Sequence, residues 1–87
     1  MKPVEIYTTA ACAYCVAAKN FLSQRGYAWE EVRVDLDPAR REEMLTRSGG
    51  RRTVPQIFFG EAHVGGYDDL VAAARAGTLP SLEEGTP

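Results

Sequence analysis

The sequence has few side chains that bind metal ions tightly, namely two cysteines and one histidine. Cys12 and Cys15 are separated by two residues, whereas His63 lies far along the chain. A zinc site normally needs four protein ligands, or three and a water molecule. We therefore do not expect a mononuclear metal site within one chain, and we expect His63 to be a partly exposed residue without a ligand role.

Long apolar runs are absent as well, because no segment approaches the roughly 18 apolar residues that a membrane-spanning helix needs. The start, MKPVEIY, does not resemble a secretory signal. We therefore expect a cytoplasmic protein without membrane contact. In that reducing compartment a permanent disulfide is disfavoured, and a bridge between Cys12 and Cys15 would close a loop too small to stabilise the fold much.

Neither sign of charge dominates: 10 basic and 12 acidic residues are interspersed and give a net charge of −2. This balance provides no general attraction to nucleic acid or to an anionic membrane, so any anion site must be local. The 87 residues, 45% of them apolar, fit one small globular domain over residues 1–87. We expect residues 78–87 to form a loosely held tail.

The hydropathy pattern changes period along the chain and predicts the element order β-α-β-α-β-β-α. Alternating residues predict strands over 4–8, 28–36, 56–59 and 62–64. Three stretches with helical spacing predict helices that end before the glycines at 26, 49 and 77. The first is predicted to begin near Ala13, and the second at Pro38, after Asp37 as its N-cap. Asp68 or Asp69 is predicted to cap the third. The fold class is α/β, with a four-stranded mixed sheet flanked by three helices.

Cys12-Ala13-Tyr14-Cys15 stands where the first strand gives way to the first helix. The first N–H groups of a helix have no intrahelical partner, and the helix dipole is positive there, so a thiolate at Cys12 is favoured. We expect the N–H groups of Tyr14 and Cys15 to bond to that sulfur. Cys12 would then be the nucleophile, and Cys15, one turn deeper, the thiol that resolves a mixed disulfide on Cys12.

Together with Thr53-Val54-Pro55 and Gly65-Gly66-Tyr67-Asp68-Asp69, the cysteine pair resembles the glutaredoxins, in particular the small bacterial dithiol type. The resemblance covers about residues 3–80. It implies the thioredoxin fold, a cis peptide bond before Pro55 and glutathione as the reducing co-substrate, with no cofactor required.

The resemblance also implies a glutathione site. The backbone of Val54 would pair with the cysteine of glutathione, and Tyr67 and Asp68 would receive its γ-glutamyl carboxylate and amine. The full set of implied glutathione-binding residues is Tyr14, Arg52, Thr53, Val54, Pro55, Gly66, Tyr67 and Asp68.

Two positions depart from the family pattern. Thr9 stands where a lysine often pairs with the glycyl carboxylate of glutathione, and Arg52, or less favourably Arg51, is placed to supply that charge. Ala13 replaces the proline of Cys-Pro-Tyr-Cys. In related members a small residue there accompanies a 2Fe-2S cluster held between two subunits by the first cysteine and glutathione, so ligation of a cluster by Cys12 stays open.

The leading hypothesis is a glutathione-dependent thiol–disulfide oxidoreductase that reduces protein disulfides and glutathione mixed disulfides. Its partners would be glutathione and disulfide-containing or glutathionylated proteins, and the protein would be a monomer. One alternative is the dimeric 2Fe-2S cluster carrier. Another is an electron donor to ribonucleotide reductase that is itself reduced by thioredoxin reductase; Thr9 favours it and the segment 66–68 argues against it.

Overall fold

Four strands form one mixed sheet in the order β2-β1-β3-β4, and three helices pack on it. The computed structural model describes residues 4–79. The elements are β1 (Val4–Thr8), α1 (Ala13–Gln24), β2 (Trp29–Arg33), α2 (Pro38–Arg47), β3 (Gln56–Phe59), β4 (Ala62–Gly65) and α3 (Tyr67–Ala76). β1 is parallel to β2 and antiparallel to β3, and β3 and β4 form an antiparallel hairpin. The predicted element order and mixed sheet are therefore confirmed.

Both faces of the sheet are covered, so the molecule has three layers. α1 and α3 pack on one face, where a cluster of buried side chains is formed by Val4, Ile6, Ala18, Leu22, Ile57, Phe59 and Leu70. α2 covers the other face, where the buried side chains are Tyr7, Val32, Val34, Met44 and Phe58. The alternation in β1 predicts this division, because successive strand residues point to opposite faces.

Arg47 ties α2 to the sheet. Its guanidinium donates to the Glu5 carboxylate at 2.6 Å, to the Tyr7 hydroxyl at 2.8 Å and to the Gly60 carbonyl at 2.9 Å. The Tyr7 hydroxyl in turn donates to Glu43 at 2.7 Å. Burial raises the pKa of Tyr7, and the bond to Glu43 raises it as well. This network fixes the position of α2 against β1 and the β3–β4 turn.

Two predicted element boundaries are wrong. β2 ends at Arg33 and not at residue 36, because the chain turns there, and Leu36 is 71% exposed. α3 is capped by Gly66 and begins at Tyr67, two or three residues earlier than the predicted caps Asp68 or Asp69 would allow.

The last helix ends at Gly77, whose φ of 72° is in the left-handed region that favours glycine. The Thr78 N–H donates to the Ala73 carbonyl at 2.9 Å, and Leu79 packs against the core under α1 and α3. The rest of the predicted loose tail, residues 80–87, lies outside the described residues. No helix within residues 4–79 is long and apolar enough to cross a membrane.

Candidate active site at the start of the first helix

Cys12 is the N-cap of α1 and presents its sulfur to the helix start. Its backbone is extended, with φ −140° and ψ 104°, and its Sγ accepts a hydrogen bond from the Cys15 N–H at 3.1 Å. The sequence predicts N–H donors at Tyr14 and Cys15, and the structure shows the bond from Cys15. An N–H aimed at the sulfur stabilises a negative charge there, as the start of a helix does generally.

Cys15 lies on the same side of α1 but in a different environment. It is 1% exposed, whereas Cys12 is half-buried, and both are free thiols. Burial is the main cause that raises the pKa of Cys15 to about 12, and the hydrogen bond with Cys12 is the second. A hydrogen bond with the Thr9 backbone lowers this pKa but does not offset them. Cys15 is therefore an uncharged thiol at neutral pH, and only Cys12 can be approached from solvent.

An open groove of about 350 Å³ lies beside the cysteines, a volume within the range of small-ligand sites. It is lined by Tyr14, Arg51, Thr53, Val54, Pro55, Gly66, Tyr67, Asp68 and Asp69. Val54 lines the groove and its carbonyl oxygen lies 3.8 Å from the Cys12 sulfur, so the Cys12 thiol adjoins the groove. Three segments that are distant in sequence thus meet at one place.

The segment before β3 forms one wall of the groove. The peptide bond between Val54 and Pro55 is cis, as expected from the sequence. In the antiparallel pairing of β1 with β3, Tyr7 lies opposite Gln56. This register brings the residues before Gln56 next to the residues after Thr8, which lead to Cys12.

The start of α3 forms the opposite wall. The Asp69 carboxylate accepts from the Gly66 N–H at 2.9 Å and from the Arg51 guanidinium at 3.3 Å. These two contacts, the backbone bond first, lower the pKa of Asp69. Because the first N–H groups of a helix lack intrahelical acceptors, this end of α3 suits a carboxylate.

Two tyrosines stand between these walls. The rings of Tyr14 and Tyr67 are 6.1 Å apart and tilted by 30°, and Tyr67 also meets Phe21 edge-to-face at 6.5 Å. The exposed ring of Tyr14 is thus part of the groove, where it contacts an aromatic residue of α3.

The structure brings every predicted glutathione-binding residue except Arg52 to the groove. Arg52 is exposed and is not among the lining residues, whereas Arg51 is. The Ser48 hydroxyl accepts from the Arg51 N–H at 3.0 Å and lies 3.2 Å from its carbonyl oxygen, which fixes the backbone of Arg51 against the end of α2. Asp69 was predicted as a possible cap but not as a site residue; its place three positions after Gly66 is the signal that could have located it.

His63 has a polar partner, although the sequence suggested no role for it. Its Nε2 lies 2.7 Å from the Gln56 side-chain oxygen, and its ring stacks on Phe58 with centroids 4.7 Å apart. Among residues 4–79, no group of three or more His, Cys, Asp or Glu side chains could hold a metal ion.

Comparisons with known proteins point to one family. A sequence model described as Glutaredoxin matches residues 4–64. The chain is 52% identical to a glutaredoxin of Pseudomonas aeruginosa, covering 94% of this chain and 96% of the relative. It is 51% identical to glutaredoxin 3 of Escherichia coli, covering 95% of this chain and all of the relative.

Solved structures agree in fold. The solution structure of a glutaredoxin from Brucella melitensis has a TM-score of 0.74 at 47% identity, covering 88% of this chain and 83% of that one. A crystal structure of a buckwheat glutaredoxin–glutathione complex has a TM-score of 0.78 at 30% identity, covering 88% and 72%. The four-stranded sheet with three helices is the thioredoxin fold expected from the sequence.

Proposed function

This chain belongs to the glutaredoxin family, and within that redox family we propose that it is a glutathione-dependent thiol–disulfide oxidoreductase. Cys12 is the nucleophile, Cys15 is the resolving thiol, and glutathione is the co-substrate. The single observation that carries the proposal is the groove between Val54 and the start of α3, with the Cys12 sulfur 3.8 Å from the Val54 carbonyl oxygen.

The reaction starts with attack by the Cys12 thiolate on the glutathione sulfur of a glutathionylated protein. A bond forms between Cys12 Sγ and glutathione, the mixed disulfide of the substrate breaks, and the protein thiolate leaves and takes up a proton. A second glutathione thiolate then attacks the glutathione bound to Cys12, giving glutathione disulfide and the free Cys12 thiolate.

Cys15 offers a second route from the same intermediate. Its thiol loses a proton and attacks Cys12 Sγ, so that a bond forms between Cys12 and Cys15 and the glutathione thiolate leaves. Two glutathione thiolates later reduce this disulfide. In the reduced protein burial raises the pKa of Cys15 to about 12, so in this route the buried thiol must lose its proton before it attacks.

Each wall of the groove suits one part of glutathione. The backbone of Val54 pairs with the cysteinyl unit in the manner of an added strand. The N–H groups at the start of α3 donate to the γ-glutamyl carboxylate, and the carboxylate of Asp68 accepts from the γ-glutamyl ammonium. Arg51, which lines the groove and whose guanidinium lies beside Asp69, supplies the positive charge for a carboxylate of glutathione in place of the predicted Arg52. The buckwheat complex with glutathione supports this ligand.

The test is turnover of a glutathione mixed disulfide of a small thiol, with glutathione as reductant, by the wild type and by Cys12→Ser and Cys15→Ser. We expect Cys12→Ser to be inactive and Cys15→Ser to keep substantial activity, because one thiol suffices for the first route. The two variants are matched controls, since each removes one sulfur atom from the same helix. Activity retained by Cys12→Ser contradicts the proposal.

Ligation of a 2Fe-2S cluster by Cys12 and glutathione between two subunits is the second candidate. Ala13 favours it, because this exposed first helical residue has no side chain beyond Cβ beside the half-buried Cys12. Visible absorbance and a dimer on gel filtration after anaerobic purification, both lost in Cys12→Ser, would support it. Electron donation to ribonucleotide reductase instead requires reduction by thioredoxin reductase, and the groove supplies no argument for that reaction.

A further inference from the structure

Gln56 is a fully buried polar residue directly behind the groove. It follows the cis Pro55 as the first residue of β3, and its exposed fraction is 0%. Its side-chain nitrogen donates to the Thr53 carbonyl at 3.0 Å and lies 3.2 Å from the Thr53 hydroxyl. The Gln56 amide therefore spans the turn that contains Val54 and holds Thr53, the first residue of that turn, on the side away from the groove.

The partners of this amide fix its orientation. The Thr53 carbonyl can only accept, so the NH₂ group of Gln56 must face Thr53, and its oxygen must face His63. The distance from this oxygen to His63 Nε2 is 2.7 Å, and an oxygen without a proton can only accept. Nε2 of His63 must therefore carry a hydrogen, as it does in one neutral tautomer and in the charged ring.

His63 is held in place by the hairpin. It lies opposite Phe58 in the β3–β4 pairing, and the two rings stack with an interplanar angle of 22°. His63 as a whole is exposed, but desolvation of its ring lowers its pKa, and Arg51 lowers it further. The ring is thus neutral at neutral pH, with its one hydrogen directed to Gln56.

On the basis of the proposed function, we propose that Gln56 and His63 are positioning residues for glutathione binding. His63 donates to Gln56, which sets the amide so that it holds Thr53, and this holds the Thr53–Pro55 turn in the shape that an added peptide strand needs. Neither residue lines the groove or touches the sulfur atoms, so their effect falls on ligand binding. A preformed turn spares the ligand the cost of ordering it.

The experiment compares His63→Phe with His63→Gln. Phenylalanine keeps the ring that stacks on Phe58 but removes the donor, whereas glutamine can reach Gln56 with its own NH₂ group. We expect His63→Phe to raise KM for a glutathione mixed disulfide by at least about threefold, with kcat within about twofold of wild type, since only the preformed turn is lost. His63→Gln should return KM toward the wild-type value.

NMR of the reduced protein without glutathione provides the readout that is independent of activity. In His63→Phe the side-chain NH₂ of Gln56 and the backbone N–H of Val54 should shift and exchange faster with solvent, and in His63→Gln both should return toward wild type. The rate of Cys12 alkylation should be unchanged in both variants. A general loss of folding would instead change that rate and most amide signals together.

Three results would overturn the proposal: a wild-type KM in His63→Phe, Gln56 and Val54 signals that do not move, or a KM in His63→Gln as high as in His63→Phe. Failure of the proposed function is a separate result, namely no turnover of the mixed disulfide by wild-type protein. The NMR comparison still reports on the contact between His63, Gln56 and Thr53 in that case.

Discussion

Arg51 and Arg52 are adjacent in the chain, yet only one of them lines the groove. Arg51 reaches across to Asp69 at 3.3 Å, whereas Arg52 is exposed and lines no part of the groove. The two side chains have the same charge and length, so they form a matched pair. If their removal affects glutathione binding differently, the difference is due to the position of the side chain and not to its charge.

We expect Arg51→Ala to raise KM for a glutathione mixed disulfide about three- to tenfold, because a charge-assisted contact to a carboxylate of glutathione contributes about 1 kcal/mol at an exposed site. Arg52→Ala should stay within about twofold, as an exposed residue outside the groove does. Steady-state kinetics of both variants at two salt concentrations are the measurement. If Arg52→Ala has the larger effect, the assignment made from sequence is right and Arg51 serves only to hold Asp69.

The sequence is informative about single residues where the chemistry is carried by spacing. Cys12 and Cys15 three positions apart at a helix start predict one reachable and one buried sulfur, and that is what the structure has. The direction in which a loop side chain points cannot be predicted from a spacing of this kind. That Arg51 faces the groove depends on the bonds of its backbone to Ser48, a contact that no local pattern predicts. Tyr14 fits the helical apolar spacing, but at the first turn of α1 it is 62% exposed and lines the groove, where its ring contacts Tyr67.

Elements were predicted well where the sequence carries a stop or start signal. Asp37 and Pro38 begin α2, since the Asp37 carboxylate accepts from the N–H groups of Ala39 and Arg40. The predicted β2 was too long because the alternation continues to Leu36 after the pairing has ended. There the Asp35 carboxylate accepts from Arg33 and from the Ala10 N–H, which turns the chain.

The junction of β4 with α3 requires a glycine at position 65. Gly65 has a φ of 118°, and a Cβ at this position would collide with the Asp69 carboxylate. The same carboxylate caps the Gly66 N–H and pairs with Arg51. A side chain at Gly65 would therefore displace the group that organises the start of α3.

Gly65→Ala should lower the free energy of unfolding by about 2–4 kcal/mol, because backbone strain adds to the loss of the cap. Gly26→Ala is the control: its φ is 84°, but no atom lies within 4 Å of the added Cβ. It should cost only the strain of about 1–2 kcal/mol. Urea denaturation of both variants gives the comparison, and KM for the mixed disulfide should rise in Gly65→Ala alone. Equal destabilisation by the two substitutions would show that the contact with Asp69 has no effect.

For the whole molecule, the topology decides what the groove contains. The antiparallel pairing of β1 with β3 places the turn before Gln56 beside the loop that leads to Cys12. The β3–β4 hairpin then pairs Gly65 with Ile57, so that α3, which follows Gly65, begins beside the same turn. The hydropathy pattern predicts each strand but leaves the direction of β2 open. The approach of the three segments could be expected only from the family resemblance.

Burial of Cys15 between α1 and the sheet makes the stability of the whole domain depend on pH. In the unfolded chain the thiol ionises near ~8.5, whereas in the folded protein burial raises the pKa of Cys15 to about 12. Between these two values the unfolded state binds fewer protons than the folded state. The stability contributed by the protonated thiol is therefore complete below pH ~8.5 and is lost as the pH rises toward 12.

For the reduced wild type we expect the free energy of unfolding to fall, above pH ~8.5, by up to about 1.4 kcal/mol per pH unit more than in Cys15→Ala. The other titrating groups are common to both proteins, so the difference isolates this thiol. Urea denaturation at pH 7, 8.5 and 10 with an excess of reductant is the measurement. Cys12→Ala should keep most of the extra slope, because burial and not the bond to Cys12 is the main cause of the raised pKa. If wild type and Cys15→Ala have the same pH slope, Cys15 ionises in the folded protein as readily as in the unfolded chain, and burial does not raise its pKa.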